Sequence, residues 1–315
     1  MCGTNCKPEP ELEGIVVGQR RFGVRLVGLI ATLREKLRLP IRQIEWYLEA
    51  FHELHVSTGA IVDTLRVVAE QGAGQVGEIQ EAVRSGPVVN ADETGWRQGG
   101  KNGYVWVYST PTEKYFIRGD RSAAMVGEVL GERFRGVLVS DFYAAYDRYG
   151  GYHQRCWGHL LGDISDLVKV YPGDGQMEAW ADSVKRLYRK AKLYSKLQTS
   201  ERKHEARRYF ERELSALCEP GLRNKDSPQH TLCKRIDKYI GELFVFVGQQ
   251  GVPSDNNAAE RDLRHLVTTR KISGGTRSER GTQTKMALST LFSTWAARGL
   301  DSFHACRQLL SSPQV

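Results

Sequence analysis

Cysteine is scarce in this 315-residue chain, and the six that occur are scattered at positions 2, 6, 156, 218, 233 and 306. That spacing excludes the dense framework of a small disulfide-stapled secreted domain and predicts reduced thiols in an intracellular protein. No run of eighteen apolar residues exists, which argues against a membrane-spanning helix. The N-terminus lacks the basic-then-apolar pattern of a secretory signal. No repeat or low-complexity tract stands out, and no Ser or Tyr sits in an obvious covalent-nucleophile motif. Acidic charge is in deficit: 37 Asp and Glu stand against 45 Lys and Arg, a formal net charge of +8. What is present is a globular composition, 40% hydrophobic and 26% charged. The length suits one large domain with an insertion, or two or three small ones. The basic surplus fits a polyanionic partner such as nucleic acid, although many soluble proteins are mildly basic.

Residues 1–21 are polar, carry Pro8 and Pro10, and read as irregular. Cys2 and Cys6 resemble half of a zinc site whose second half is not in reach. From Gly23 the period becomes helical. Leu26, Ile30, Leu33 and Leu37 recur at three- and four-residue steps, Pro40 suits the start of a second helix, and Ser57 and Thr58 suit the cap of a third. Residues 22–85 are therefore expected to form a helical region resembling a helix-turn-helix, a pattern that any three-helix module shares.

Between residues 86 and 160 the period changes to that of strands. Val88-Val89 lead to Asp92, and Gly136-Val137-Leu138-Val139-Ser140 lead to Asp141, two apolar runs that each stop at an acid. Between them lie the aromatic and β-branched runs 103–108 and 114–118, joined by a hairpin-like Ser109-Thr110-Pro111-Thr112, and then a helix around 123–134. Gly151–Trp157 suggests a fifth short strand. Three strands, a helix and a strand ending on an acid is the order of a ribonuclease-H-like core, an α/β fold with a mixed sheet and flanking helices. Residues 161–250 read as a basic helical insertion, with Lys185, Arg186 and Arg189 crowded together, either as a solvated face or as a phosphate-tracking surface. In 251–315, Ser254 to Asn257 supply helix caps. Glu260 falls in the first turns beside Arg261 and Arg264, and a glycine loop at 273–277 is flanked by Lys271 and Arg277.

Each acid alone has an ordinary explanation as a cap or a helix-surface ion pair. Together, two carboxylates at neighbouring strand ends and a third on a helix can hold two divalent ions for in-line attack on phosphorus. Their hard oxygen ligands suit Mg²⁺ or Mn²⁺.

Several segments together resemble the bacterial transposases of the insertion-sequence-sixty-six family, of the Asp-Asp-Glu class. They are Ala91-Asp92-Glu93-Thr94-Gly95-Trp96, Val139-Ser140-Asp141-Phe142-Tyr143-Ala144-Ala145-Tyr146, Cys156-Trp157-Gly158-His159-Leu160, Ser254-Asp255-Asn256-Asn257-Ala258-Ala259-Glu260-Arg261 and Lys271-Ile272-Ser273-Gly274-Gly275. The likeness covers about residues 22–310 in the expected order. It implies a DNA transposase that cuts and joins strands at transposon ends, with Asp92, Asp141 and Glu260 as catalytic triad and metal ligands. It also implies two Mg²⁺ or Mn²⁺ ions per site and double-stranded DNA, terminal inverted repeats and target, as partner. At least a homodimer on DNA, accessory transposon-encoded proteins, and a cytoplasmic, nucleoid-associated location complete the expectation. His159, Arg261, Arg264, Lys271 and Arg277 are candidate DNA contacts, His159 alternatively capping a helix, and the glycines of 273–277 let backbone amides approach a phosphate closely. Cys156 and His159 are spaced like half of a metal site with no partner half visible, which favours a structural thiol. Trp96 and Trp106 are core aromatics or base-stacking platforms. Family members usually carry more N-terminal sequence, including a cysteine-rich part, so Cys2 and Cys6 read as a remnant. They also place an arginine shortly after the Cys-Trp-x-His segment, where this chain has Leu160-Leu161-Gly162-Asp163. These departures raise the alternative of a truncated, catalytically impaired relative that binds DNA without cutting.

Overall fold

The computed structural model describes residues 22–132, 134–197 and 202–312; Cys2 and Cys6 lie outside them. The chain divides into two compact units. One runs to Arg84, adds Glu93–Arg121 and resumes at Asp262; the other is Ser85–Asp92 with Ser122–Arg261.

The first unit opens with four helices, α1 (Val24–Glu35), α2 (Ile41–His52), α3 (Thr58–Gln71) and α4 (Ala73–Arg84). The expected stripe buries Ile30 and Leu33 of α1, but Leu37 lies past the helix end and is exposed. Ser57 caps α3 as anticipated, its Oγ accepting the Ala60 amide at 3.3 Å. The fourth helix was not legible, because Gly72, Gly74 and Gly77 read as breakers. Gly72 is instead a point of close approach, where a Cβ would lie 2.4 Å from Leu291.

Five strands follow: β1 (Val88–Gln98), β2 (Lys101–Ser109), β3 (Lys114–Gly119), β4 (Val137–Ser140) and β5 (His153–Arg155), in the order β3-β2-β1-β4-β5. β2 and β3 are antiparallel, whereas β1, β4 and β5 pair in parallel. This mixed sheet is compatible with a ribonuclease-H-like transposase core. One expectation is corrected. β1 does not turn at Asp92 but continues to Gln98, because β2 pairs along its other edge while β4, only four residues long, ends early. Gly99 and Gly100, with φ of 56° and 83°, supply the left-handed conformations that a two-residue hairpin needs. The helix after β3, α5 (Ala124–Leu130), is shorter than expected and stops at Gly131, φ 71°.

From residue 157 the second unit is helical: α6 (Trp157–Val170), α7 (Gly175–Leu197), α8 (Lys203–Arg223), α9 (His230–Lys238) and the short α10 (Ile240–Leu243) and α11 (Val245–Gly248). These helices bury Trp157, Ile164, Val184, Tyr188, Phe210, Leu214 and Phe244 together with Val137 and Val139 of β4. Trp157 stacks on Tyr188 at 4.7 Å. The edge strand β5 is tied to the helices through a side chain: Gln154 donates to the Leu243 carbonyl and accepts the Phe246 amide.

The chain ends in α12 (Asn257–Ser273), α13 (Glu279–Ala297) and α14 (Ser302–Ser311). α13 lies along β3, and Thr290 and Thr294 accept the Phe116 and Lys114 amides at 3.0 Å, so these two donors of the β3 edge are satisfied. Among the described residues no helix is long and apolar enough to cross a membrane.

Candidate active site

Parallel pairing matches Val88 with Val137, Val89 with Leu138 and Asn90 with Val139. The last pair stands two residues before each acid: Asp92 lies further along β1, and Asp141 follows the end of β4 at Ser140. Side chains alternate along a strand, which puts Asp92 on the β1 face that carries Asn90.

The turn after β4 is fixed from two sides. The Asp141 carboxylate accepts the Tyr143 amide at 2.9 Å, and the Asp141 carbonyl accepts Nη1 of Arg155 at 2.9 Å. Arg155 is fully buried, paired with Asp147 and Glu242 at 2.6 Å each, and lies 4.4 Å over the Tyr239 ring. Burial works to raise the Asp147 pKa, but hydrogen bonds from Lys238 and Tyr239 and the Arg155 charge outweigh it and hold the carboxyl below its ordinary value. Sequence reasoning passed over Arg155, because the polar run His153-Gln154-Arg155 does not look buried; a buried charge of this kind is tolerated only when paired.

Glu260 stands in the first turn of α12, and the segment before it is the most heavily tied in the unit. Ser254 accepts the Trp157 amide through its carbonyl at 3.0 Å and meets the Tyr188 hydroxyl at 2.9 Å. It is therefore an anchor rather than a helix cap. Asp255 pairs with Lys192 at 3.7 Å and accepts the Asn257 amide at 3.4 Å. Asn256 is fully buried and joins three elements. Its Nδ2 donates to the Ala91 carbonyl (2.8 Å), its Oδ1 accepts Nδ2 of Asn90 (2.9 Å), and its amide donates to Sγ of Cys156 (3.1 Å). Because Asn90 shares a β1 face with Asp92, this residue brings the start of α12 to the face that carries the first acid.

His159, on α6, does not cap that helix. Its Nδ1 lies 3.7 Å from Glu260, and its ring also bonds Cys156. The Cys156 hydrogen bond, with the charges of Asp141 and Glu260, outweighs the opposing cost of burial and pushes the imidazole up to about 9, so it carries charge at neutral pH. Sequence reasoning favoured a structural thiol for Cys156; the structure puts the thiol beside both His159 and Glu260.

Asp92, Asp141, His159, Glu260 and Arg261 all belong to the second unit, as do Lys185, Arg186 and Arg189 on α7. Lys185 lies on the α7 stripe of Tyr188 and Lys192, while Arg186 bonds Ser183 at 3.0 Å and Arg189 is exposed. Arg264, Lys271 and Arg277 belong to the first unit and are exposed. Glu93, next to Asp92, is committed to Arg121, whose Nε and Nη2 donate to it at 3.0 and 2.9 Å. Trp96 and Trp106 are both buried, their indole N–H groups donating to Thr276 Oγ1 and the Asp120 carbonyl; they are core.

The glycine loop also departs from expectation. Its amides do not form a free cradle, because Thr276 donates to the Arg97 carbonyl and accepts the Gly99 amide, both at 2.9 Å. A Cβ on Gly275 would lie 2.1 Å from the Arg97 carbonyl oxygen, at a φ of 108°. Close packing against β1, not anion binding, thus demands glycine here. Gly275→Ala is expected to lower the urea unfolding free energy by roughly 1–3 kcal/mol, the cost of a strained residue. Gly274→Ala, with open space around its Cβ, is expected to lose less.

Comparison with known proteins places these features. The model of the family described as Transposase IS66 family matches residues 19–284. A stretch of 169 residues, 53% of this chain, is 31% identical to the uncharacterised protein y4jO of Sinorhizobium fredii (strain NBRC 101917 / NGR234). The chain spans about half the length of that curated relative, 50% by alignment. The family match takes in all five strands, the basic helices and the helix bearing Glu260 in one continuous span, and this chain belongs to the IS66 family of transposases.

Proposed function

We propose that this chain is a DNA transposase that cleaves and joins strands at transposon ends, with Asp92, Asp141 and Glu260 as its catalytic acids. The observation that carries the reading is the parallel register of β1 and β4, whose last pair, Asn90 with Val139, stands two residues before Asp92 and Asp141, with Glu260 tied to β1 through Asn256. An all-carboxylate donor set would suit hard divalent ions, two Mg²⁺ or Mn²⁺, and Asp92, Asp141 and Glu260 would hold them. When bound, such ions acidify a water or a 3′-hydroxyl and offset charge at phosphorus. The remaining roles belong to the chain itself. Asn256 holds the third acid in place, and Arg155 fixes the turn of the second. The half-exposed His159 ring, beside Glu260, is placed to donate to a phosphate oxygen. The surplus of basic residues, including Lys185, Arg186, Arg189, Arg261, Arg264, Lys271 and Arg277, supplies contacts to the DNA backbone. Cutting two ends and joining them calls for at least a homodimer on DNA.

The test is incubation of the purified protein with duplexes carrying the two ends of its own element, a target plasmid and Mg²⁺. The expected products are nicked ends and end–plasmid joints, both abolished by chelator. Nicks without joints would replace the reading by a hydrolytic nuclease. Binding without nicks would favour the impaired relative, with Leu160-Leu161-Gly162 standing where family members carry an arginine.

A further inference from the structure

Three side chains converge where the oxygen-donor site alone would not require them. Sγ of Cys156, a ring nitrogen of His159 and a carboxylate oxygen of Glu260 lie within 4.8 Å of one another. The thiol is fully buried, while the imidazole and carboxylate side chains are 45% and 37% exposed, so sulfur forms the floor of an open cup and the other two its rim. Among the described residues this is the one group of three or more His, Cys, Asp or Glu side chains in metal-binding reach. The Asn256 amide points at the sulfur from behind, the outer-shell hydrogen bond that metal-bound thiolates commonly accept. One sulfur, one imidazole and one carboxylate with an open side are the donors of a three-ligand zinc site, and soft sulfur discriminates against Mg²⁺.

We propose that Cys156, His159 and Glu260 bind a thiophilic divalent ion, Zn²⁺ foremost, and that this ion withdraws Glu260 from the oxygen-donor site and so inhibits DNA cleavage. The second half rests on the functional reading above; the first does not. Binding forms bonds from the ion to sulfur, nitrogen and oxygen and releases the thiol proton and the ring proton to solvent, with no change of oxidation state. The consequence is a chain whose third acid serves either of two ions of different chemistry. It would hold Mg²⁺ together with Asp92 and Asp141, or Zn²⁺ together with Cys156 and His159.

The test begins with binding, which needs no substrate. Co²⁺ added to the full chain is expected to give a sulfur-to-cobalt charge-transfer band that Zn²⁺ displaces at one equivalent. Cys156→Ser should remove the band and Cys218→Ser, in a buried thiol elsewhere, should keep it. His159→Gln and Glu260→Gln should each weaken Zn²⁺ binding by about tenfold to a hundredfold or more, read by competition with a chromophoric chelator. No band in the wild type, or an unchanged band in Cys156→Ser, overturns the site. Should Cys156→Ser fail to fold, the His159→Gln affinity decides in its place, and an unchanged value overturns the site equally. Cleavage in Mg²⁺ is then measured with and without one equivalent of Zn²⁺; tight binding that leaves the rate unchanged overturns the inhibition and spares the site. If the protein cuts no DNA at all, the functional reading fails while the binding result still stands.

Discussion

Glu260→Gln is expected to lower the rate of Mg²⁺-dependent end cleavage by about a hundredfold or more, equivalent to roughly 2.7 kcal/mol of transition-state stabilisation. Glutamine keeps the size of the side chain and the start of α12, so the fold should survive. What it loses is a charged oxygen donor for a hard ion. Affinity for end DNA, read by fluorescence anisotropy, should stay within a few-fold, because cations rather than Glu260 provide the phosphate contacts. Asp92→Asn and Asp141→Asn should behave alike, since each removes a charged oxygen donor from the same proposed set. Equal cutting by the wild type and Glu260→Gln would remove Glu260 from the site and leave its pairing with His159 as its whole role.

Asn256→Ala is expected to cost about 2–5 kcal/mol in unfolding free energy and most of the cleavage activity. The substitution deletes two buried side-chain hydrogen bonds and leaves Nδ2 of Asn90 and the Ala91 carbonyl without them, at about 1–3 kcal/mol each. The Cys156 contact, made by the Asn256 backbone, remains. Urea denaturation gives the stability loss, and rates under conditions that keep the variant folded give the second effect. Asn90→Ala should lose less, and the double substitution should cost less than the two single losses added together, because the two share one bond. Strict additivity would mean that Asn90 and Asn256 are not coupled.

Much of this was legible in the sequence, for identifiable physical reasons. The two apolar runs before Asp92 and Asp141 are short and β-branched, and they did become neighbouring parallel strands. The hairpin through Pro111 and the cap at Ser57 depend on local turn chemistry, which a sequence carries openly. What stayed hidden depends on partners far along the chain. The continuation of β1 past Asp92 follows from its pairing with β2 on the edge away from β4, a property of another segment. Gly275 looked like part of a phosphate loop, but Arg97 packs against it, and α4 contains Gly74 and Gly77, which weaken the helical signal although nothing crowds them. Cys156 and His159 looked like half of a ligand set because the missing third ligand, Glu260, is about a hundred residues away.

β1 carries two acids in succession, and this makes the exact pairing of the strand a matter of chemistry. A slip by one position would turn every side chain to the opposite face and offer Glu93 where Asp92 belongs, a longer acid in a plausible but wrong place. Such a mispaired strand would turn Asn90 away from Asn256 and carry Glu93 away from Arg121. The same bonds that hold the native strand therefore act as a spelling check, so that a molecule able to gather its acids is also one that has aligned the right one.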